Sequence, residues 1–129
     1  MPTAAIPALD DAIANPGNPD HLMVIKDVPR RIRVYSGNTL LADTTSALRV
    51  IELGKSVYDP VIYIPEEDLQ VLFETVAKSS HCPIKGDASY ISFAEEEIGW
   101  VYREPIDVAK RLGGHYAFWP DKVSVLEGG

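Results

Sequence analysis

A single cysteine among 129 residues leaves no intrachain disulfide and no Cys-rich zinc site. Cations are scarce: twelve Lys and Arg stand against nineteen Asp and Glu, a formal charge of −7. Phosphate affinity rests on cationic contacts that release counterions, so no nucleic-acid partner is expected. Long apolar runs are also missing. None approaches the ~20 residues that a membrane helix needs, so no membrane partner is expected either. The first twenty residues lack the basic start and apolar centre of an export signal. With one free thiol besides, the expected location is the cytoplasm.

What is present is an ordinary soluble composition, 46% hydrophobic and 24% charged, at a length suited to one domain. Residues 1–20 read as an irregular N-terminal arm, punctuated by Pro16, Gly17 and Pro19, with one helical turn as an alternative over Pro7 to Ala14. Residues 21–129 read as a single domain. From Leu22 onward the dominant period is two, which marks strands. Strands are expected over Leu22 to Val28, Arg31 to Ser36, Thr39 to Thr44, Leu48 to Leu53 and Val61 to Ile64. Gly37-Asn38 suits a two-residue hairpin turn. Counting outward from it sets Tyr35 opposite Leu40, Val34 opposite Leu41, Arg33 opposite Ala42 and Ile32 opposite Asp43. Asp43 then ends an apolar stripe and needs a partner, for which Arg33 and Arg49 are candidates.

Leu69, Leu72, Phe73 and Val76 have helical spacing after a Pro65-led acidic turn, although Val71 and Phe73 also alternate as in a strand. Ser89 to Ala94 and Ile98 to Arg103 read as a hairpin around a solvated Glu95-Glu96-Glu97 tip. Pro105 to Leu112 reads as a short helix closed by Gly113-Gly114. His115 to Trp119 and Lys122 to Leu126 read as a last hairpin around Pro120-Asp121. Many short strands and few helical residues predict a mainly antiparallel β domain.

Four blocks carry a resemblance. They are Arg31-Ile32-Arg33-Val34-Tyr35 with Gly37 and Ala42-Asp43-Thr44; Val61 to Asp68; His81-Cys82-Pro83-Ile84-Lys85-Gly86-Asp87-Ala88-Ser89-Tyr90; and Gly113 to Trp119. Together, over about Asn18 to Glu127, they resemble a small bacterial and fungal family known as domain of unknown function four-two-seven, which also carries a nucleotidyltransferase-like label. The resemblance implies a mainly β fold of two antiparallel sheets in an Mss4-like (β-tent) arrangement with one or two short helices. It also implies that Pro65 to Asp68 is a short turn and Val71 to Glu74 a strand, in place of the helix. Two positions depart from the family's pattern: Ile84 stands where an aromatic is usual, and Val101 replaces a hydroxyl residue between Trp100 and Tyr102. Related β-tent proteins bind zinc through several cysteines, which Cys82 alone cannot do, so neither metal nor other cofactor is expected.

Chemistry centres on the His81-Cys82-Pro83-Ile84-Lys85-Gly86 block. Pro83 and Gly86 favour a tight turn. One reading is structural, with a buried Cys82. The other is a pocket built from His81, Cys82 and Lys85, with Tyr63, Tyr90, Trp100, Tyr102 and His115 about it and Arg33 and Asp43 at its edge. Such a pocket would take an unknown small molecule, polar or anionic, and Lys85 would serve affinity more than stability. An enzyme using His81, Cys82 and Lys85 for acid–base or nucleophilic work is an alternative. A third reading is an interaction domain that forms a homodimer through exposed strands. Nucleotidyl transfer finds no motif: there is no Asp-x-Asp pair to hold Mg²⁺ and no Gly-Ser dipeptide. Whether the chain is an enzyme stays open at this point.

Overall fold

The computed structural model describes residues 10–128. Eleven strands alternate with turns: β1 (Ile13–Asn15), β2 (Asn18–Asp27), β3 (Ile32–Ser36), β4 (Thr39–Thr44), β5 (Leu48–Leu53), β6 (Val61–Pro65), β7 (Glu74–Cys82), β8 (Gly86–Phe93), β9 (Glu96–Val101), β10 (His115–Phe118) and β11 (Ser124–Glu127). The described helical residues are two 3-10 segments, Glu66–Asp68 and Asp107–Leu112. All pairing is antiparallel. Eight strands form one sheet in the order β1-β2-β5-β6-β10-β9-β8-β7, and three form a second, β11-β3-β4. The chain is therefore mainly β, as its period of two predicts, and has the two antiparallel sheets that the resemblance implies.

Alternation sorts the side chains of the large sheet into two cores. One face meets the small sheet: Ile32, Val34, Leu41 and Ala42 pack with Ile64, Ile91, Val101, Tyr116 and Phe118. The other face gathers Met23, Ile25, Leu48, Val50, Tyr63, Ala88 and Tyr102, roofed by Ala109 and Leu112 of the second 3-10 segment. Ile84 is fully buried in this second core, so at this position the chain has a packing residue.

Several expectations are corrected. The first hairpin turns at Gly37-Asn38, but its register slips: Tyr35 faces Leu40 while Val34 faces Ala42, Arg33 faces Asp43 and Ile32 faces Thr44. Leu41 is the extra residue of a bulge, which lets Leu41 and Ala42 both enter the core. The slip moves Asp43 off the apolar stripe. Its partner is neither Arg33 nor Arg49 but Arg31, whose Nε and Nη2 donate to Oδ1 and Oδ2 at 2.8 and 2.6 Å.

Over 65–78 the helical residues are limited to the short 3-10 turn Glu66–Asp68, where the resemblance implies a turn, and the strand implied over Val71 to Glu74 begins only at Glu74. The intervening backbone is occupied elsewhere. Gln70 N–H donates to Leu41 C=O at 2.8 Å and Leu69 bridges Ala42, tying the segment to β4. The acidic hairpin tip is Ala94-Glu95, both with positive φ, as a two-residue primed turn requires. Glu96 and Glu97 belong to β9, and Glu97 accepts from Lys78 Nζ and Trp119 Nε1, both at 2.9 Å.

The last expected hairpin does not exist. β10 already has β6 and β9 on its two edges, so β11 pairs with the free edge of β3 instead, Val125 opposite Val34. Residues Pro105 to Leu112 are helical only as the 3-10 segment. The irregular arm is shorter than expected, because Ile13–Asn15 and the start of β2 form a hairpin, Ala14 opposite Leu22. The part of the arm before Asp10 lies outside the described residues.

Candidate functional site

The second core opens into a cleft of ≈ 220 Å³, lined by Val50, Glu52, Tyr58, Asp59, Val61, Tyr63, Lys85, Ala88, Tyr90, Trp100, Tyr102 and Trp119. Strand alternation puts these residues there. Val50 and Glu52 share a face of β5, Val61 and Tyr63 lie beside them on β6, and Tyr90 lies opposite Trp100 across β8 and β9. Tyr63 and Trp100 meet edge to face with centroids 6.4 Å apart, and Trp100 Nε1 donates to Tyr63 Oη at 3.2 Å. Trp119 packs on Trp100 at 4.5 Å. Burial pushes the Tyr63 and Tyr102 phenols far above their usual range, so both remain protonated donors at any physiological pH. Tyr102 is nearly buried and its hydroxyl makes no hydrogen bond to a described residue.

The turn between β7 and β8 supplies the floor. Lys85 N–H donates to Cys82 C=O at 3.2 Å, closing it. Gly86 has φ +115°, and a Cβ there would sit 3.1 Å from the Ile106 nitrogen, so glycine is required on two counts. Ile106 N–H donates to Lys85 C=O at 2.9 Å, which anchors the turn to the segment after β9. The Lys85 side chain consequently points inward, only 6% of the residue exposed.

A chain of polar contacts runs behind it. Lys85 Nζ donates to Glu52 Oε1 and lies 3.6 Å from Cys82 Sγ. Glu52 Oε2 meets His21 Nε2 at 2.7 Å, and His21 Nδ1 meets Asn15 Nδ2 at 3.1 Å. The direction of these bonds is settled at the far end. Asn15 Oδ1 accepts the Gly17 N–H at 2.8 Å, so its amide nitrogen faces His21 as a donor. His21 Nδ1 must then accept, and Nε2–H donates to Glu52. Burial pushes the Glu52 carboxyl upward, but the hydrogen bonds from Lys85 and His21 outweigh it and hold the group below the ordinary carboxylate range.

Of the residues singled out from sequence, Tyr63, Lys85, Tyr90, Trp100 and Tyr102 line the cleft, and Cys82 lies beside Lys85. Four others lie elsewhere. His81 alternates with Cys82 on β7, so its side chain, 65% exposed, turns to the opposite face and meets Asp87 at 2.8 Å. His81, Cys82 and Lys85 thus do not form one constellation. His115 Nδ1 bonds Gly113 C=O at 3.0 Å. Arg33 and Asp43 lie in the small sheet, where Arg33 Nε is buried with no hydrogen-bond partner among the described residues.

Glu52, His21 and Asp59 were not singled out by sequence reasoning. For Glu52 the signal existed: it follows Leu48 and Val50 at period two, a carboxylate closing a buried stripe. His21 stands in the same relation to Met23 and Ile25 on β2. Among the described residues no three His, Cys, Asp or Glu side chains converge as metal ligands.

No curated protein matches the chain. The family model described as a domain of unknown function (DUF427), labelled NTP_transf_9, matches residues 24–129, a span that takes in every strand but β1 and the start of β2, and the chain belongs to that family.

Proposed function

We propose that the chain binds an uncharged, planar, polar small molecule in the cleft above Lys85 and Glu52. The observation that carries this reading is the buried ion pair at the base of an aromatic-walled cavity. Aromatic walls favour a flat ligand, and a few fixed polar groups would orient it. Lys85 has three donor hydrogens, of which Glu52 takes one and the Cys82 sulfur weakly takes a second. The third, with the Tyr102 hydroxyl, suits a carbonyl oxygen.

An anionic ligand has less support. The Lys85 charge is balanced by Glu52, and Asp59 at the rim adds a carboxylate with no ion pair among the described residues. The cleft thus carries one net negative charge, in a chain of −7. The test is a fragment screen read by the indole N–H resonances of Trp100 and Trp119. Planar amides and other uncharged carbonyl compounds should shift Trp100 saturably, and removal of the Tyr102 hydroxyl by Tyr102→Phe should weaken them. Shifts induced equally by anions and neutral fragments, or by none, would reject the reading.

A further inference from the structure

We propose that Lys85 forms an imine with a planar aldehyde or ketone held in this cleft. The inference rests on the cleft being a small-molecule site and adds what is done there. An amine nucleophile needs a proton acceptor at hand and a pocket that excludes water. Lys85 has the acceptor in Glu52 Oε1, and it lines a cleft whose water a bound ligand would displace.

The partners of Glu52 decide which oxygen acts and in which sense. Its Oε2 is held by the His21 Nε2–H, and His21 is itself committed as a donor because Asn15 donates to Nδ1. Oε2 is thus engaged by His21, and Oε1, the oxygen against Lys85 Nζ, is the atom placed to exchange a proton with it. A ligand that fills the cleft expels water, which disfavours separated charges and shifts the ammonium–carboxylate pair toward amine and carboxylic acid.

The step balances. The Lys85 ammonium gives a proton to Glu52 Oε1, and the freed lone pair adds to the carbonyl carbon. The C–N bond forms and the π pair moves to oxygen, which takes the proton from Glu52. The nitrogen returns a proton to Glu52, which passes it to the hydroxyl. The C–O bond breaks, water leaves, and the nitrogen lone pair closes the C=N bond. In sum, ammonium and carbonyl become iminium and water, so Glu52 faces a cation both before and after the reaction.

The experiment uses the whole chain with 4-hydroxybenzaldehyde and sodium cyanoborohydride, which reduces an imine to a stable amine, followed by peptide mass mapping. Six lysines compete: Lys26, Lys55, Lys78, Lys85, Lys110 and Lys122. Lys85 is the least accessible of them to an indiscriminate reagent, yet it should be modified about tenfold faster than the others because the cleft holds the carbonyl against it. The alcohol 4-hydroxybenzyl alcohol, which has no carbonyl, should shift the Trp100 indole resonance and protect Lys85 alone. Glu52→Gln should slow the trapping at Lys85 about tenfold or more. Labelling that follows exposure and spares Lys85, with the alcohol still seated at Trp100, overturns the imine and leaves the cleft reading intact. The same labelling with no Trp100 shift overturns both. The wild-type peptide map decides the matter even where Glu52→Gln fails to fold.

Discussion

Lys85 and Glu52 bridge two distant stretches of a curled sheet. Glu52 lies on β5, third in the strand order, and Lys85 follows β7, the eighth, so the pair meets only because the sheet bends around its second core. The lysine is therefore a structural member as well as a cleft group. The expectation that its loss would leave stability unchanged does not survive its pairing.

Removing one member strands the other charge in a nearly dry site. Lys85→Ala should destabilise the fold by about 3–5 kcal/mol, whereas the double change Lys85→Met with Glu52→Leu should recover most of that loss. Urea unfolding of the three proteins measures both. A single variant as stable as wild type would show that the pair holds nothing together.

Acid should attack the same contact. The folded Glu52 carboxyl lies below its unfolded value, so its contribution is complete above about pH 4.3 and fades as pH falls through the lower folded value. Urea-derived stability plotted against pH should fall less steeply on the acid side in Glu52→Gln than in wild type. Parallel curves would contradict the assignment. The Lys78–Glu97 and Glu127 pairs also lower carboxyl values, but they are common to both proteins and cancel in the comparison.

Gly99 faces Phe118 across β9 and β10, and a Cβ at this position would lie 2.0 Å from the Ala117 carbonyl oxygen. Neither atom is the end of a flexible side chain, so the backbones must part. Gly99→Ala should destabilise by roughly 2 kcal/mol or more, in the range of overpacked cores. Because Gly99 precedes Trp100, the variant should also broaden the Trp100 indole resonance. Thermal unfolding and one NMR spectrum check the two effects together.

Asp43→Ala offers the opposite outcome. Its bidentate pair with Arg31 sits at the surface, half-exposed, where solvent weakens the Coulomb attraction and the long Arg31 side chain must be held still. Its urea midpoint should match that of wild type within experimental scatter. A large loss would mean that the register slip at Leu41 had not removed Asp43 from the core.

Local chemistry was legible in the sequence, and it determined a good deal. Alternation over Thr39–Thr44 and Leu48–Leu53 marks those strands to the residue, Gly37-Asn38 names its turn, and Pro83 with Gly86 announces the bend that carries Lys85. Each is decided by neighbours a few residues apart, through backbone angles and the two-residue period. What remained hidden needed contacts across long stretches of chain. Only the assembled sheet decides that β11 joins β3, since that depends on which edges other strands have already taken. The bulge that frees Asp43 from the stripe answers to packing between the sheets. The cleft itself is of the same kind. Glu52 and Lys85 are 33 residues apart, His21 a further 31 upstream of Glu52, and no local pattern states that polar groups on two strands and a turn will share one buried line of hydrogen bonds.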